Sequence, residues 1–155
     1  MHLTWISDWA WSLPLTALTT VIHIAAIAGM AASLTHAKQA MERWKLGRVS
    51  SALAVLGLLG TVGWVLSALS GFEAAIWALA YLRLGALDTF ADAMLYSVNA
   101  LTTFGSSGLH LDRHWRMMGA LESANGVVLF GISTGFAAAI ITQFWDLFRK
   151  QTDIA

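Results

Sequence analysis

Three long apolar runs, separated by polar segments, dominate the chain. They cover about residues 13–34, 49–82 and 117–148. Each reaches the roughly 20 residues that a helix needs to cross the hydrocarbon core of a bilayer. Pro14 fits the first turn of the first helix, where a missing N–H costs little. The only break in the second run, Ser70-Gly71, carries neither charge nor proline, so the pattern predicts three transmembrane helices, the second of them long.

The composition agrees with an integral membrane protein of one domain. Of the 155 residues, 57% are hydrophobic and 12% are charged, whereas soluble domains have about a quarter charged. The formal net charge is zero, which argues against a nucleic-acid partner. The chain has no cysteine, which excludes disulfides and cysteine-ligated metals. Because residues 1–14 contain no Lys or Arg, we expect no cleaved secretory signal.

The distribution of basic residues predicts an orientation. Six of the nine Lys and Arg lie in two segments, residues 37–49 and the tail 149–155. The positive-inside rule places both segments in the cytoplasm, and three crossings then leave the N-terminus outside. Tryptophans including Trp77 and Trp115 are expected at the outer interface, where such rings gather.

The segment between the second and third runs has a different pattern. Residues 88–101 are amphipathic with a helical period, Asp88 or Thr89 can cap the helix, and Asp92 lies in its first turn. About a dozen residues are too few to span a bilayer. In the stretch NALTTFGSSGL, seven of the eleven residues are Thr, Gly, Ser or Asn. Non-helical backbone at membrane depth needs protein or water to satisfy it, so we expect a re-entrant loop beside an aqueous pore.

The sequence DAMLYSVNALTTFGSSG resembles the pore helix and filter of potassium channels, whose filter reads TVGYG. The match runs through Tyr96-Ser97, Thr102-Thr103 and Gly105. WRMMGALESANGVVLFGISTGF resembles the inner helix of small bacterial two-helix-pore channels. The resemblance implies an all-α membrane protein with three transmembrane helices, a re-entrant pore helix and a filter loop. It also implies a homotetramer in the bacterial inner membrane.

This resemblance divides the chain into four parts. Residues 1–36 form an N-terminal segment and an extra first helix, and residues 37–49 form a basic cytoplasmic loop. Residues 50–148 form the pore module, and residues 149–155 form the cytoplasmic tail. The predicted partners are further copies of the chain and the lipid bilayer, with no small-molecule ligand and no cofactor.

The predicted ion filter departs from the family pattern. It consists of Thr102, Thr103, Phe104, Gly105, Ser106 and Ser107. Ser106-Ser107 replaces the family's Tyr-Gly, and Gly108 replaces the usual acidic residue. The second filter glycine of the family adopts a backbone conformation that a residue with a Cβ, such as Ser107, reaches only at a cost. We therefore expect a widened outer half and weak selectivity between K⁺ and Na⁺.

Other residues are expected to support the pore. Asn99 stands where many potassium channels have an acidic or aliphatic residue. Glu122 is an ionisable group in the third span, with Asn125 or the pore helix as its expected partner. Glu73 can share a contact with it. Gly126 occupies the position of the family's gating hinge.

Three further histidines have open interpretations. His23 in the first span is interpreted as a hydrogen-bonded interhelical residue, with a proton relay as the alternative. His110 and His114 can bind zinc, but we prefer a solvated loop because no helix fixes their spacing.

Two other functional classes stay open. One is a non-conducting membrane interaction protein that keeps the pore fold, which Ser106-Ser107 favours. The other is a small transporter or a membrane enzyme subunit. The sequence has no nucleophile–base pair, P-loop, dinucleotide fingerprint or HExxH motif, so we do not expect the chain itself to be an enzyme.

Overall fold

The chain is helical wherever the structure describes its secondary structure, apart from the connections between helices. The computed structural model describes residues 2–44, 48–105 and 108–152, and these ranges contain no β-strand. They hold four helices: α1 (His2–Trp44), α2 (Arg48–Arg83), α3 (Phe90–Leu101) and α4 (Arg116–Thr152).

Three of these helices are long and apolar enough to cross a membrane. The candidate spans are Ser7–Gln39 of α1, Leu53–Arg83 of α2 and Arg116–Gln143 of α4. The prediction of three spans in an all-helical membrane protein is confirmed. α2 continues through Ser70-Gly71 without a break, as predicted for a single long helix.

The polar segment predicted as a loop at residues 37–49 is largely helical. α1 continues to Trp44 and α2 begins at Arg48, while residues 45–47 lie outside the described part. The reason is local: Ala, Lys, Gln, Met, Glu and Arg are strong helix formers even where they are polar. The predicted tail is helical as far as Thr152 for the same reason, and residues 153–155 are not described.

Pro14 lies inside α1 rather than in its first turn, so the predicted start of that helix is wrong. A proline in a helix interior removes a backbone hydrogen bond and costs about 3 kcal/mol. The turns that precede it bury Asp8 and Ser12 against the rest of the fold. Tertiary packing of this kind overrides local helix preference.

The described residues pack into two compact units. The first combines residues up to His23 with Leu69–Gly131 and contains α3 and the candidate site residues that the structure describes. Trp77 and Trp115 are buried in its core, and their predicted depth at the outer membrane interface stays a prediction. The apolar core comprises Trp77, Ala78, Tyr81, Ala86, Ala93, Leu111, Trp115 and Met118.

The second unit combines Ile24–Ala68 with the residues from Ile132 onward. Its core is smaller and purely aliphatic: Leu34, Val55, Val62 and Ile140. These four side chains come from α1, α2 and α4, and each lies on the buried stripe of its helix.

The short helix α3 begins as the sequence predicts. The Oγ1 of Thr89 accepts a hydrogen bond from the N–H of Asp92 (3.1 Å) and donates one to its carboxylate (2.7 Å). This satisfies one of the free N–H groups of the first turn. One face of the helix is buried, through Ala93, Ser97, Ala100 and Leu101, which is the spacing of an amphipathic helix.

Candidate functional site

α3 ends in a hydrogen-bonded turn at the first residues of the predicted filter. The N–H of Thr103 donates to the carbonyl of Ala100 (3.0 Å), and the N–H of Phe104 donates to the carbonyl of Asn99 (3.0 Å). These two bonds form the Schellman motif, whose last but one residue adopts left-handed backbone. That residue here is Thr103, with a φ of 56°.

The backbone of Thr103 is strained. Glycine usually occupies this position of the motif, and a β-branched residue at positive φ is an outlier. Such a conformation costs on the order of 1–3 kcal/mol and is found mainly at functional sites. Gly105 and Gly108 also have positive φ, 88° and 87°. A Cβ on Gly105 would meet no atom within 4 Å, so its glycine serves conformation and not space.

We expect Thr103→Gly to preserve or raise stability, by up to about 1 kcal/mol, while it impairs the function of the turn. Thr102→Gly is the matched control, because Thr102 has right-handed backbone (φ −84°). That control should lose about 1 kcal/mol. Thermal unfolding in lipid nanodiscs measures both changes, and equal destabilisation by the two variants would contradict strain at Thr103.

The predicted filter residues that the structure describes, residues 102–105, are exposed on the single chain. The hydroxyl of Thr102 donates to the carbonyl of Val98 (2.8 Å), so it caps its own helix. Phe104 is 82% exposed. The ring is therefore accessible on the single chain. Ser106 and Ser107 lie outside the described residues.

A cavity of about 320 Å³ lies beside this turn. It brings together polar groups from α3, the turn and α4, among them Tyr96, Asn99, Thr103, Arg116 and Ser123. Asn99, predicted to support the pore, therefore has two roles in the structure. Its carbonyl holds the turn, and its side chain lines the adjacent cavity.

Glu122 is fully buried and connects three helices. The hydroxyl of Tyr81 on α2 donates to its Oε2 at 2.7 Å, and Ser97 on α3 lies beside the same carboxyl. The expected contact between Glu122 and α3 is therefore present. Tyr81, the principal partner, was missed, because 41 residues separate the two in sequence.

Asn125 bonds to the first helix and not to Glu122. Its Nδ2 donates to Thr19 Oγ1 (2.7 Å), and Thr20 Oγ1 donates to its Oδ1 (3.2 Å). The hydroxyl of Thr19 donates in turn to the carbonyl of Leu15 (2.9 Å). The pair Thr19-Thr20 in an apolar run was the available signal, because hydroxyls in membrane helices commonly join helices.

Gly126 packs directly against the last residue of α3. A Cβ at this position would overlap the backbone carbonyl of Leu101. Gly119 lies seven residues before Gly126 on α4. A Cβ at this position would overlap the hydroxyl of Tyr96. Both glycines therefore have a packing reason, and the hinge role predicted for Gly126 stays a prediction.

His23 forms a buried hydrogen-bonded pair with Glu73. His23 Nδ1 and Glu73 Oε1 are 2.9 Å apart, and both side chains are inaccessible. The interpretation of His23 as an interhelical residue is confirmed. Glu73 and Glu122 each bond to a different partner, so the contact suggested between them is not what the described residues form.

The two loop histidines lie apart from these buried contacts. His110 Nδ1 is 3.1 Å from the carbonyl of Gly108, and the ring of His114 lies 4.8 Å from that of Trp115. Among the described residues, no group of three or more His, Asp or Glu side chains is placed to hold a metal ion.

Comparison with known proteins gives no relative for this chain. No protein-family model, no curated protein and no solved structure matches it. Function is therefore argued from the site alone. The site consists of an exposed polar turn after α3 and, in the same compact unit, buried carboxyl, amide and hydroxyl groups that connect the helices.

Proposed function

We propose that the protein is a homotetrameric cation channel whose filter is the turn that follows α3. One observation carries the proposal: a short helix ends in a strained, exposed polar turn between two membrane-spanning helices. In lipid such a turn is costly unless water or protein satisfies it. Around a pore, its carbonyls and Thr hydroxyls can replace the hydration shell of a cation.

Four copies are proposed because one turn supplies only one side of a filter. Closed rings of identical chains are the usual symmetric solution. The exposed residues Thr103 and Phe104 give the turn a surface for neighbouring copies. The small residues between Thr102 and Gly108 allow four such turns to approach one axis.

The pore is proposed to discriminate weakly between K⁺ and Na⁺. Ser106-Ser107 stands where the potassium-channel family has Tyr-Gly, so we expect a wider outer half of the filter. We expect replacement of these serines by Tyr and Gly to raise the K⁺/Na⁺ permeability ratio. Reversal potentials under mixed K⁺ and Na⁺ measure the change. An unchanged ratio in conducting channels would contradict the role of these serines.

The proposed location is the bacterial inner membrane, with the N-terminus outside and the C-terminus in the cytoplasm. Single cysteines introduced at Lys38 and Gln151 should be labelled by an impermeant reagent only from the cytoplasmic side. A cysteine at Trp5 should be labelled only from outside. Labelling of positions 38 and 151 from opposite sides would contradict the orientation.

Ion flux into liposomes tests the function most simply. Purified protein should carry K⁺ and Na⁺ at comparable rates and Ca²⁺ more slowly. A variant in which residues 103–105 are replaced by alanines should carry none of these ions, while the mass of its tetramer stays unchanged. Intact tetramers without flux would favour a non-conducting interaction protein, and a dimeric mass would favour a transporter subunit.

A further inference from the structure

The buried face of α1 is polar, although the helix lies in an apolar span. Asp8, Ser12, Thr19 and His23 are all buried, and their intervals of four, seven and four residues place them on one face. Polar groups at membrane depth are costly and indicate a function by default. Together with the residues that they contact, they form what we call the polar line.

The neighbouring helices extend the polar line in order along α1. Asp8 is close enough to His114 and to Tyr81 to interact electrostatically. Thr19 bonds to Asn125 of α4, and His23 bonds to Glu73 of α2. From Asp8 to His23 the helix advances about 22 Å, which is most of a hydrocarbon core of about 30 Å. The next buried side chain of α1 is the apolar Leu34, so the line ends at His23.

Three buried polar atoms near the Asp8 end of the line have no hydrogen-bond partner among the described residues. They are Asp8 Oδ1 and Ser12 Oγ on α1, and Nε1 of Trp77, whose ring lies beside that of Tyr81. Buried polar groups almost always have a partner, in protein or in bound water. These three atoms indicate hydration of this half of the line.

We propose that the polar line is a proton-access path that ends at the His23–Glu73 pair. A proton leaves bulk water near Asp8 and His114, passes along bound water and the hydroxyls of Ser12, Tyr81 and Thr19, and adds to the pair. One proton leaves the solution and the pair gains one, so the net charge of the pair rises by one. Protonation therefore couples the α1–α2 contact to the pH on the side where Asp8 lies.

The other titratable groups along this path, among the described residues, come from the four helices and one loop. α1 contributes Asp8, α2 contributes Tyr81, α3 contributes Tyr96 and α4 contributes Glu122, with His114 in the preceding loop. The group facing His23 from α2 is Glu73, and the α4 group that bonds to the preceding turn of α1, at Thr19 and Thr20, is the neutral Asn125. The proposal does not depend on conduction by the pore, so the two can fail separately.

Water-edited solid-state NMR of ¹⁵N-histidine-labelled protein in bilayers tests the path, with the His23 signals assigned from His23→Gln. In the unmodified protein, His23 should receive magnetisation from water nearly as fast as the exposed His110. A His23 that receives no magnetisation from water would overturn the proposal without any mutation.

Ser12→Val should slow the transfer from water to His23 severalfold, because it removes a hydroxyl in the middle of the path. Ser33→Val is the matched control. Ser33 is exposed on the same helix, and its hydroxyl bonds to its own backbone at Gly29 (3.0 Å), so the transfer should not change. Equal rates in Ser12→Val and the unmodified protein would place the access route elsewhere and overturn the proposal.

Discussion

Gly126→Ala is expected to destabilise the protein by about 2 kcal/mol, although alanine normally favours a helix over glycine. The added Cβ would overlap the backbone carbonyl of Leu101. A backbone atom at the end of α3 cannot move aside as a flexible side chain does, and overpacking typically costs 1–3 kcal/mol. Because Leu101 immediately precedes the turn at residues 102–104, the change should also disturb the proposed filter.

Gly131→Ala is the control for this prediction, since it lies on the same helix and its Cβ would meet no atom within 4 Å. It should be neutral or should stabilise α4 by up to about 1 kcal/mol. The free energy of unfolding in bilayers, measured for both variants, gives changes of opposite sign. A neutral Gly126→Ala would show that α3 does not pack on α4 as described.

Glu122→Ala is expected to cost about 3 kcal/mol. The change leaves a cavity and removes the acceptor of the buried Tyr81 hydroxyl, and an unsatisfied buried donor alone costs roughly 1–3 kcal/mol. Glu122→Gln should cost about 1 kcal/mol or less, because the amide oxygen can still accept from Tyr81. The polar contact and the shape are the quantities that matter at this position.

The exposed carboxylate of Asp112 supplies the control, and Asp112→Ala should change stability by no more than about 0.5 kcal/mol. A double-mutant cycle with Tyr81→Phe isolates the hydrogen bond, and we expect Glu122→Ala and Tyr81→Phe to be clearly non-additive. If Ala and Gln at position 122 unfold and conduct alike, the supporting role of Glu122 is wrong.

The helices themselves could be predicted from local pattern. Apolar runs of sufficient length gave α1, α2 and α4, and the Thr89 cap with a helical period gave α3. The errors at residues 37–49 and at Pro14 share one cause. Polar residues and proline were interpreted as boundaries, whereas local helix formers and the burial of Asp8 and Ser12 carry the helix through them.

The partners within the site could not be predicted in the same way. The sequence identified Glu122, Asn125 and His23 as polar residues in spans, but their contacts depend on helix rotation. Tyr81 bonds to Glu122 across 41 residues of chain, and Glu73 bonds to His23 across 50. Periodicity gives the face of one helix, and only packing decides which faces meet.

The glycines of α4 and the turn after α3 illustrate the same limit. The sequence alone does not show which of Gly126, Gly131 and Gly135 packs against another helix. Of these three, only Gly126 contacts the backbone of another helix. The filter prediction relied on TTxG, and it stays a prediction. The strain at Thr103 was not visible, because it arises where the Schellman motif falls on a threonine.

One measurement tests the proposed function most directly: single-channel recording in planar bilayers under bi-ionic K⁺/Na⁺ conditions, on protein whose tetrameric mass has been verified. A cation-selective current that reverses near zero potential is the result predicted for a filter with a widened outer half. Absence of current from intact tetramers, or a complex of another size, would contradict the channel. Strong K⁺ selectivity would contradict the role assigned to Ser106 and Ser107.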